Sequence, residues 1–119
     1  MTQIQIRTDN DITMARNVLR KRLAAQTWTP PFRARSAATL TSLGEAILNG
    51  KAGGTLMMIL VNRSNVRGLE LRCSMRCLPD PQSLEALKGQ LATIVDDFIF
   101  TQDSQHTYIT AKLWQNREA

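Results

Sequence analysis

The apolar positions of this chain recur with two different periods, which divide it into short strands and longer helices. Ile4 and Ile6 alternate with polar residues, as is typical of a strand. Across residues 12–23 the apolar side chains recur at helical spacing, which predicts a helix with one buried stripe. Residues 8–11 offer N-caps for this helix, and the sequence TPP at residues 29–31 is expected to stop it.

A second helix is expected to start after the prolines and to run to about Asn49, where glycines 50, 53 and 54 turn the chain. Residues 55–62, TLMMILVN, are apolar on both faces, which suits a central strand. Residues 63–65 indicate a hairpin turn, and the return strand then alternates cleanly. The apolar stripe of this second helix is Ala37, Leu40, Gly44, Ile47 and Leu48.

Pro79 and Pro81 interrupt the chain and open a third helix, after which two strands are predicted. Helices with one apolar stripe, together with a sheet that has one apolar face, predict an α+β two-layer sandwich. We expect three helices on one face of a mixed, mostly antiparallel sheet, in a single domain over residues 1–119. The stripe of the third helix is predicted to contain Leu84, Leu87, Leu91, Ile94, Val95 and Phe98.

Composition narrows the class of protein. The chain has 119 residues, of which 43% are apolar and 21% charged, and this is a globular composition. No apolar run is long enough to span a bilayer, and the first residues lack the features of a secretion signal. We therefore expect a cytoplasmic protein without a membrane partner.

The net charge of +5 admits an acidic protein, an anionic nucleotide or a nucleic acid as partner. The only dense basic group is Arg16, Arg20, Lys21 and Arg22, which reads as a solvated helix face. No basic stripe is interleaved with aromatic residues, as single-strand binders require. The sequence thus does not favour nucleic acid, and this alternative rests on charge alone.

Few residues suggest chemistry. Glu45 and Asn49 are four apart on the second helix and therefore share a face, where a carboxylate and an amide oxygen suit a hard cation. The alternative is a solvated helix face. Cys73 and Cys77 lie in one predicted strand, roughly 13 Å apart, which is too far for a disulfide. His106 has no partner in the sequence that would assign it a role.

The Glu45–Asn49 pair and the order of elements resemble the histidine-kinase-like (GHKL, Bergerat) ATPase fold. The closest likeness is to the small serine-kinase and anti-sigma regulators of bacterial partner-switching modules. IQIRTDNDITMARNVLRKRL is similar to the opening strand and helix, SLGEAILNGKAGGTLMMI to the N-box helix and next strand, and HTYITAKLW to the closing strand. The resemblance implies that Asn49 binds Mg²⁺ and nucleotide and that Glu45 is the catalytic polarising group. Lys51 lies nearby in the sequence and is the candidate for contacting a phosphate, with a solvated lysine as the alternative interpretation.

The chain departs from the family after the third strand. The family carries Asp-x-Gly-x-Gly there, then a lid with a second glycine-rich box, whereas this chain reads CSMRCLPD and enters the closing helix at once. The resemblance therefore implies no Mg-ATP or only weak binding. It implies a regulatory protein that acts mainly by protein–protein binding. The alternative is an active Mg-ATP-dependent serine/threonine kinase or ATPase.

The expected partner is a protein of a regulatory switch, and a homodimer is an open alternative. The polar face of the sheet is the candidate contact surface, because tryptophan, tyrosine and arginine often anchor interfaces. An ordinary solvated sheet face is the competing interpretation. The residues concerned are Arg72, Arg76, Tyr108, Lys112 and Trp114.

Overall fold

The computed structural model describes residues 2–25, 27–63 and 66–115. Within them the chain forms strands and helices in the predicted order, and the predicted α+β class is confirmed. None of the helices in these ranges is long and apolar enough to cross a membrane. The elements are β1 (Thr2–Ile6), α1 (Asp9–Ala24), α2 (Pro30–Asn49), β2 (Gly54–Arg63), β3 (Val66–Met75), α3 (Pro81–Ile94), β4 (Asp97–Gln102) and β5 (Thr107–Trp114).

The strands form one open sheet in the order β1-β2-β3-β5-β4, and every pair in it is antiparallel. The prediction of a mixed sheet was wrong in this detail. Because α3 carries the chain back, β4 runs in the same direction as β3, but β5 lies between them and separates the two strands. As predicted for its apolar sequence, β2 is not an edge strand.

The β2–β3 hairpin fixes the register of the sheet. The two strands pair from Gly54↔Met75 to Arg63↔Val66. The predicted turn at residues 63–65 falls partly outside the described residues, because Arg63 ends β2 and residues 64 and 65 are not described. This register places the alternating apolar residues of β3 on the face beneath the helices, where Leu69, Leu71 and Met75 are fully buried.

Helix α2 lies at the centre of the helical layer, with α1 on the β1 side and α3 on the β4 side. Its buried stripe is wider than the predicted one, since Phe32, Thr39 and Leu43 also face the core. The predicted residues Ala37 and Leu48 are only half-buried. The fully buried large side chains of α2 are Phe32, Leu40, Leu43 and Ile47.

Two helix ends differ from the prediction. Helix α1 ends at Ala24, and Pro30 and Pro31 are the first residues of α2 rather than a stop before it. Proline is tolerated at the first helical positions because their N–H groups have no intrahelical partner. The side chain of Thr29 caps α2 by accepting a hydrogen bond from the Phe32 N–H at 3.3 Å.

Helix α3 ends at Ile94, so the assignment of Phe98 to its stripe was wrong: Phe98 lies in β4. The next residue, Val95, has extended backbone angles. The carboxylate of Asp96 then accepts a hydrogen bond from the Trp114 N–H at 2.6 Å. This bond attaches the end of the helix to β5 and starts the final hairpin.

The α1–α2 contact depends on a glycine. A Cβ at Gly44 would lie 2.9 Å from Cγ1 of Ile12, whereas a Cβ at Gly89, in α3, would meet nothing within 4 Å. Both glycines lie inside helices, so alanine raises helix propensity equally at the two positions. They therefore form a matched pair that isolates the cost of overpacking.

We expect Gly44→Ala to lower the free energy of unfolding by about 1–3 kcal/mol, because the new methyl group overpacks against Ile12. Gly89→Ala should raise it by roughly 0.5–1 kcal/mol. Urea unfolding of both variants measures the two changes. Adding Ile12→Ala to Gly44→Ala should remove most of the overpacking penalty, and a purely additive double variant would contradict this packing.

Candidate functional site

A groove of about 430 Å³ runs between α2 and α3 and contains two of the three predicted site residues. We call it the α2–α3 groove. Glu45 and Asn49 line its α2 wall. The loop from β3 to α3 and the first turns of α3 form the other walls, with Cys77, Leu78, Pro79, Asp80, Ser83, Leu84, Leu87 and Gln90.

The helical period explains why Glu45 and Asn49 face this groove. Leu43 and Ile47 are fully buried towards the sheet, and the positions two residues after each of them turn away from it. Both side chains are exposed, and neither makes a hydrogen bond or an ion pair within the described part of the chain. Their oxygens are therefore available to a ligand.

Lys51, the third predicted site residue, does not line the groove. It follows the C-cap of α2 with a φ of 64°, in the left-handed region, and its N–H donates to the Leu48 carbonyl at 3.0 Å. The structure thus brings together two of the three predicted residues. Lys51 lies where the chain leaves the helix and turns towards β2.

The opposite wall is dominated by the capping of α3. Asp80 is the N-cap, and both carboxylate oxygens are engaged by Ser83: Oδ1 accepts from the backbone N–H at 2.9 Å and Oδ2 from the hydroxyl at 2.8 Å. The bond from the Ser83 N–H is the main reason that the pKa of Asp80 lies below its usual value. Pro81, the first helical residue, has no N–H to offer.

This capping changes what the helix end can bind. A helix N-terminus binds anions through unpaired N–H groups and a positive dipole end. At α3 the N–H of Ser83 is already used, that of Pro81 does not exist, and the negative carboxylate of Asp80 lies beside them. The helix end that borders the groove is therefore poorly suited to a phosphate group.

A cysteine also lines the groove where it meets the end of α2. The Cys77 sulfur occupies the space that a Cβ at Gly50 would need, so this glycine makes room for the cysteine side chain. Cys73 and Cys77 are free thiols, but their assignment to one strand was wrong, because β3 ends at Met75 and Cys77 lies beyond it. Burial raises the pKa of the Cys73 thiol to about 12, which makes it unreactive.

The α2–α3 groove has a polar wall on α2 and a partly apolar wall opposite it. No group of three or more potential metal-ligating side chains (histidine, cysteine, aspartate or glutamate) occurs in the part of the chain that the structure describes. The Glu45 carboxylate can accept hydrogen bonds, and the Asn49 amide can both accept and donate them. Leu78 lies at the rim with 51% of its surface exposed. This combination suits a peptide better than a polyphosphate.

The polar sheet face is less open than predicted. Arg72 forms an ion pair with Glu70 at 2.6 Å, and the Trp114 ring lies over Gly68 of the neighbouring strand, which leaves it half-buried. Tyr108 is 40% exposed and donates to Asp103 at 3.3 Å. Arg76 lies just beyond the end of β3, and Lys112 is half-buried in the centre of the face.

His106 belongs to the β4–β5 turn, in line with its having no assigned role. Its Nδ1 lies 3.6 Å from Asp103, and its ring stacks on Tyr108 at 5.9 Å between centroids. Sequence reasoning missed the role of Asp80, although the pattern Asp80-Pro81-x-Ser83 is typical of a capped helix start. That pattern could have shown that Asp80 serves the helix.

Comparisons with known proteins identify no relative: no family model matches the sequence, and no curated protein matches it. What the α2–α3 groove can do is therefore inferred from its own residues.

The backbone at Lys51 gives a test of its position. A left-handed conformation costs a residue with a Cβ roughly 1–2 kcal/mol, and glycine avoids most of this. We expect Lys51→Gly to raise the free energy of unfolding by about 0.5–1 kcal/mol in urea titrations. Lys51→Ala removes the ammonium group but keeps the strain, so it should change stability by less than about 0.5 kcal/mol. Equal effects of Lys51→Gly and Lys51→Ala on the free energy of unfolding would contradict the left-handed backbone conformation of residue 51.

Proposed function

We propose that this chain is a regulatory domain of the histidine-kinase-like ATPase type, related to anti-sigma factors and serine kinases of partner-switch systems, in which the ATP site has degenerated. It acts mainly by binding another protein, in the cytoplasm. One observation carries the proposal: Glu45 and Asn49 line one wall of a groove whose other wall presents the capped, proline-started N-terminus of α3.

The lack of free N–H donors at Pro81 and Ser83, on the α3 wall, supports the proposed loss of nucleotide binding. Hydrogen bonds to charged groups contribute roughly 1.5–3 kcal/mol each. Losing the N–H donors of Pro81 and Ser83 thus removes about 3–6 kcal/mol, which corresponds to a factor of roughly 10²–10⁴ in affinity. The negative charge of Asp80 adds repulsion against a polyphosphate placed at the same helix end.

The residues of the groove do not fit a tightly held Mg-ATP. Asn49 offers an oxygen ligand for the cation, as the resemblance implies, but the groove provides no matching cradle for the phosphates among its described residues. We therefore propose no nucleotide cofactor, or weak Mg-ATP binding at most, and derive no catalytic step through it.

Protein binding is supported by the character of the remaining surface. The groove is open, has polar groups on α2, and is rimmed by Leu78, a large apolar side chain that is half exposed. Such a combination of an apolar contact and unsatisfied polar groups is typical of interfaces. The proposed partner is a protein of a regulatory switch, and a second copy of the chain remains a candidate through the edge strands β1 and β4.

An active Mg-ATP-dependent serine/threonine kinase or ATPase is the second candidate function. It is favoured by the position of Glu45, the expected polarising group, one helical turn from Asn49 on the same wall of the groove. Under this alternative the described chain would hold nucleotide through α2 and borrow the phosphate contacts from a partner.

Calorimetric titration with Mg-ATP separates the two functions. We expect no saturable heat up to about 1 mM nucleotide, and the same result for Asn49→Ala. The matched control is Asn10→Ala, an exposed asparagine on α1. Saturable binding in the micromolar range that is lost in Asn49→Ala and kept in Asn10→Ala would establish the second function, and phosphate release abolished by Glu45→Gln would identify an enzyme.

A second experiment tests protein binding at the groove. Affinity capture from extract of the source cells should recover a specific protein, and Leu78→Glu should reduce its recovery about tenfold or more, because a charge replaces an interface contact. Met14→Glu is the matched control, since Met14 is 52% exposed and Leu78 is 51% exposed. Equal recovery with both variants would exclude the α2–α3 groove as the contact.

A further inference from the structure

The positive charge of the chain is concentrated in one region. Residues 12–44 contain six basic side chains and no acidic one, whereas the remaining residues contain nine basic and ten acidic side chains. This region comprises most of α1, most of α2 and the segment between them. Residues 12–44 therefore carry a net charge of +6, and the rest of the chain carries a net charge of −1.

A second groove lies between these two helices, on the side of α2 away from α3. We call it the α1–α2 groove. Its volume is about 530 Å³, and its lining is mainly apolar. Leu19 and Leu23, each 2% exposed, lie at its base. On the α2 side the lining residues Ala34 and Ala37 are small, which leaves the space between the helices open.

Three arginines border this apolar channel: Arg16 and Arg20 from α1, and Arg33 from α2. All three are exposed, and none forms an ion pair with any residue that the structure describes. Arg20 donates only to the neutral amide of Asn17, at 3.0 Å.

No carboxylate lines this channel among the residues that the structure describes. In α1 the acidic residues are confined to the first turn, where Asp11 closes a capping box with Thr8. Arg35, by contrast, lies one residue outside the channel lining and is paired with Asp96 at 3.4 Å. The positive rim is thus left for an external partner to neutralise.

We propose that the α1–α2 groove binds an acidic amphipathic helix of a partner protein. A groove between two helices accepts the apolar ridge of a third helix, at interaxial distances of about 8–10 Å. Recognition of this kind uses apolar anchors spaced along one face of the incoming helix. Acidic side chains flanking those anchors would meet the arginines, which bind carboxylates through two parallel hydrogen bonds.

Nucleic acid is the less suitable occupant of this groove. Its described lining contains no aromatic side chain on which a base could stack, and its floor is apolar rather than a track for phosphates. The proposal for the α1–α2 groove shares one assumption with the proposed function, namely that the partner is a protein. It concerns a different surface from the α2–α3 groove, so the two can fail separately.

The test uses defined peptides with the full chain. The probe is a fluorescently labelled helical peptide of about 18 residues, five turns, with leucines along one face and glutamates elsewhere. Two controls are a scrambled peptide of the same composition and a lysine version of the probe. A single-stranded oligonucleotide and anionic vesicles serve as competing occupants. Binding is measured by fluorescence anisotropy at low and at physiological salt.

The expected result is saturable binding of the acidic amphipathic peptide, about tenfold tighter than that of its scrambled form. Arg16→Glu with Arg20→Glu should weaken it by about tenfold or more, since rim charges are reversed. The matched control, Lys21→Glu with Arg7→Glu, changes the net charge equally at exposed positions outside the groove and should have little effect.

A third pair of variants tests the apolar channel without changing charge. Ala34→Leu fills the groove, whereas Ala38→Leu places the same side chain on an exposed position of α2 that does not line it. Only Ala34→Leu should weaken binding, with both variants keeping the wild-type circular dichroism and unfolding midpoint.

Several outcomes overturn the proposal. The proposal is wrong if the acidic peptide does not bind saturably, or if its scrambled form binds equally well. It is also wrong if the charge-reversal variant and its control lose equal affinity for the peptide, or if the oligonucleotide or the vesicles bind more tightly than the peptide. If the peptide binds and only Leu78→Glu weakens it, the proposed function stands and the assignment to this groove is wrong.

Discussion

The packing of α2 across the sheet is the interaction on which the rest of the structure depends. Phe32, Leu40, Leu43 and Ile47 are fully buried along one side of this helix of 20 residues. At about 1.5 Å per residue the helix spans roughly 30 Å, which is enough to cross the sheet. With its lower side committed to the core, two flanks remain, and α1 and α3 occupy them. Both grooves are therefore formed against α2.

The position of α2 is also fixed by a polar contact at its first turns. Arg35 donates to the Asp96 carboxylate at 3.4 Å and to the Trp114 carbonyl at 3.0 Å, and both partners are at the far end of the chain. The side chains of Arg35 and Asp96 are 17% and 15% exposed, so this pair is screened less than a surface pair. Helix α2, the α3–β4 connection and β5 are thereby held together.

Much of this architecture could be predicted because it follows from periodic burial. The order of elements and the alternation of β3 are visible in the spacing of apolar residues, because a two-layer core buries one stripe of each helix and one face of the sheet. The N-terminal ends of the helices were predicted less accurately. Pro30 was taken as a stop before α2, whereas it is the first residue of that helix and follows the capping residue Thr29. Pro81 opens α3, as predicted, but the capping role of Asp80 beside it was missed. The order of the strands in the sheet was not predicted, since pairing between distant strands leaves no local signature in the sequence.

The candidate site was predictable only on its helical side. The spacing of four between Glu45 and Asn49 is a property of one helix, so their common face follows from the sequence alone. The opposite wall brings Cys77, Asp80 and Gln90 to α2 through tertiary packing, which the sequence does not reveal. The charge segregation of residues 12–44 was visible in the sequence, but it became meaningful only when α1 and α2 were seen to enclose an apolar channel.

The two walls of the α2–α3 groove differ in how far the fold accounts for their residues. Asp80 is explained by the capping of α3, Pro81 by its first helical position, and Cys77 by its contact with Gly50. Neither Glu45 nor Asn49 has a comparable role in stabilising the fold, since both are exposed and contact no described residue through a hydrogen bond or an ion pair. The residues of this groove that the fold leaves available to a ligand are therefore those of the α2 wall and the exposed rim residue Leu78. A phosphate-binding role would instead have required the α3 wall, whose donors already stabilise the protein itself.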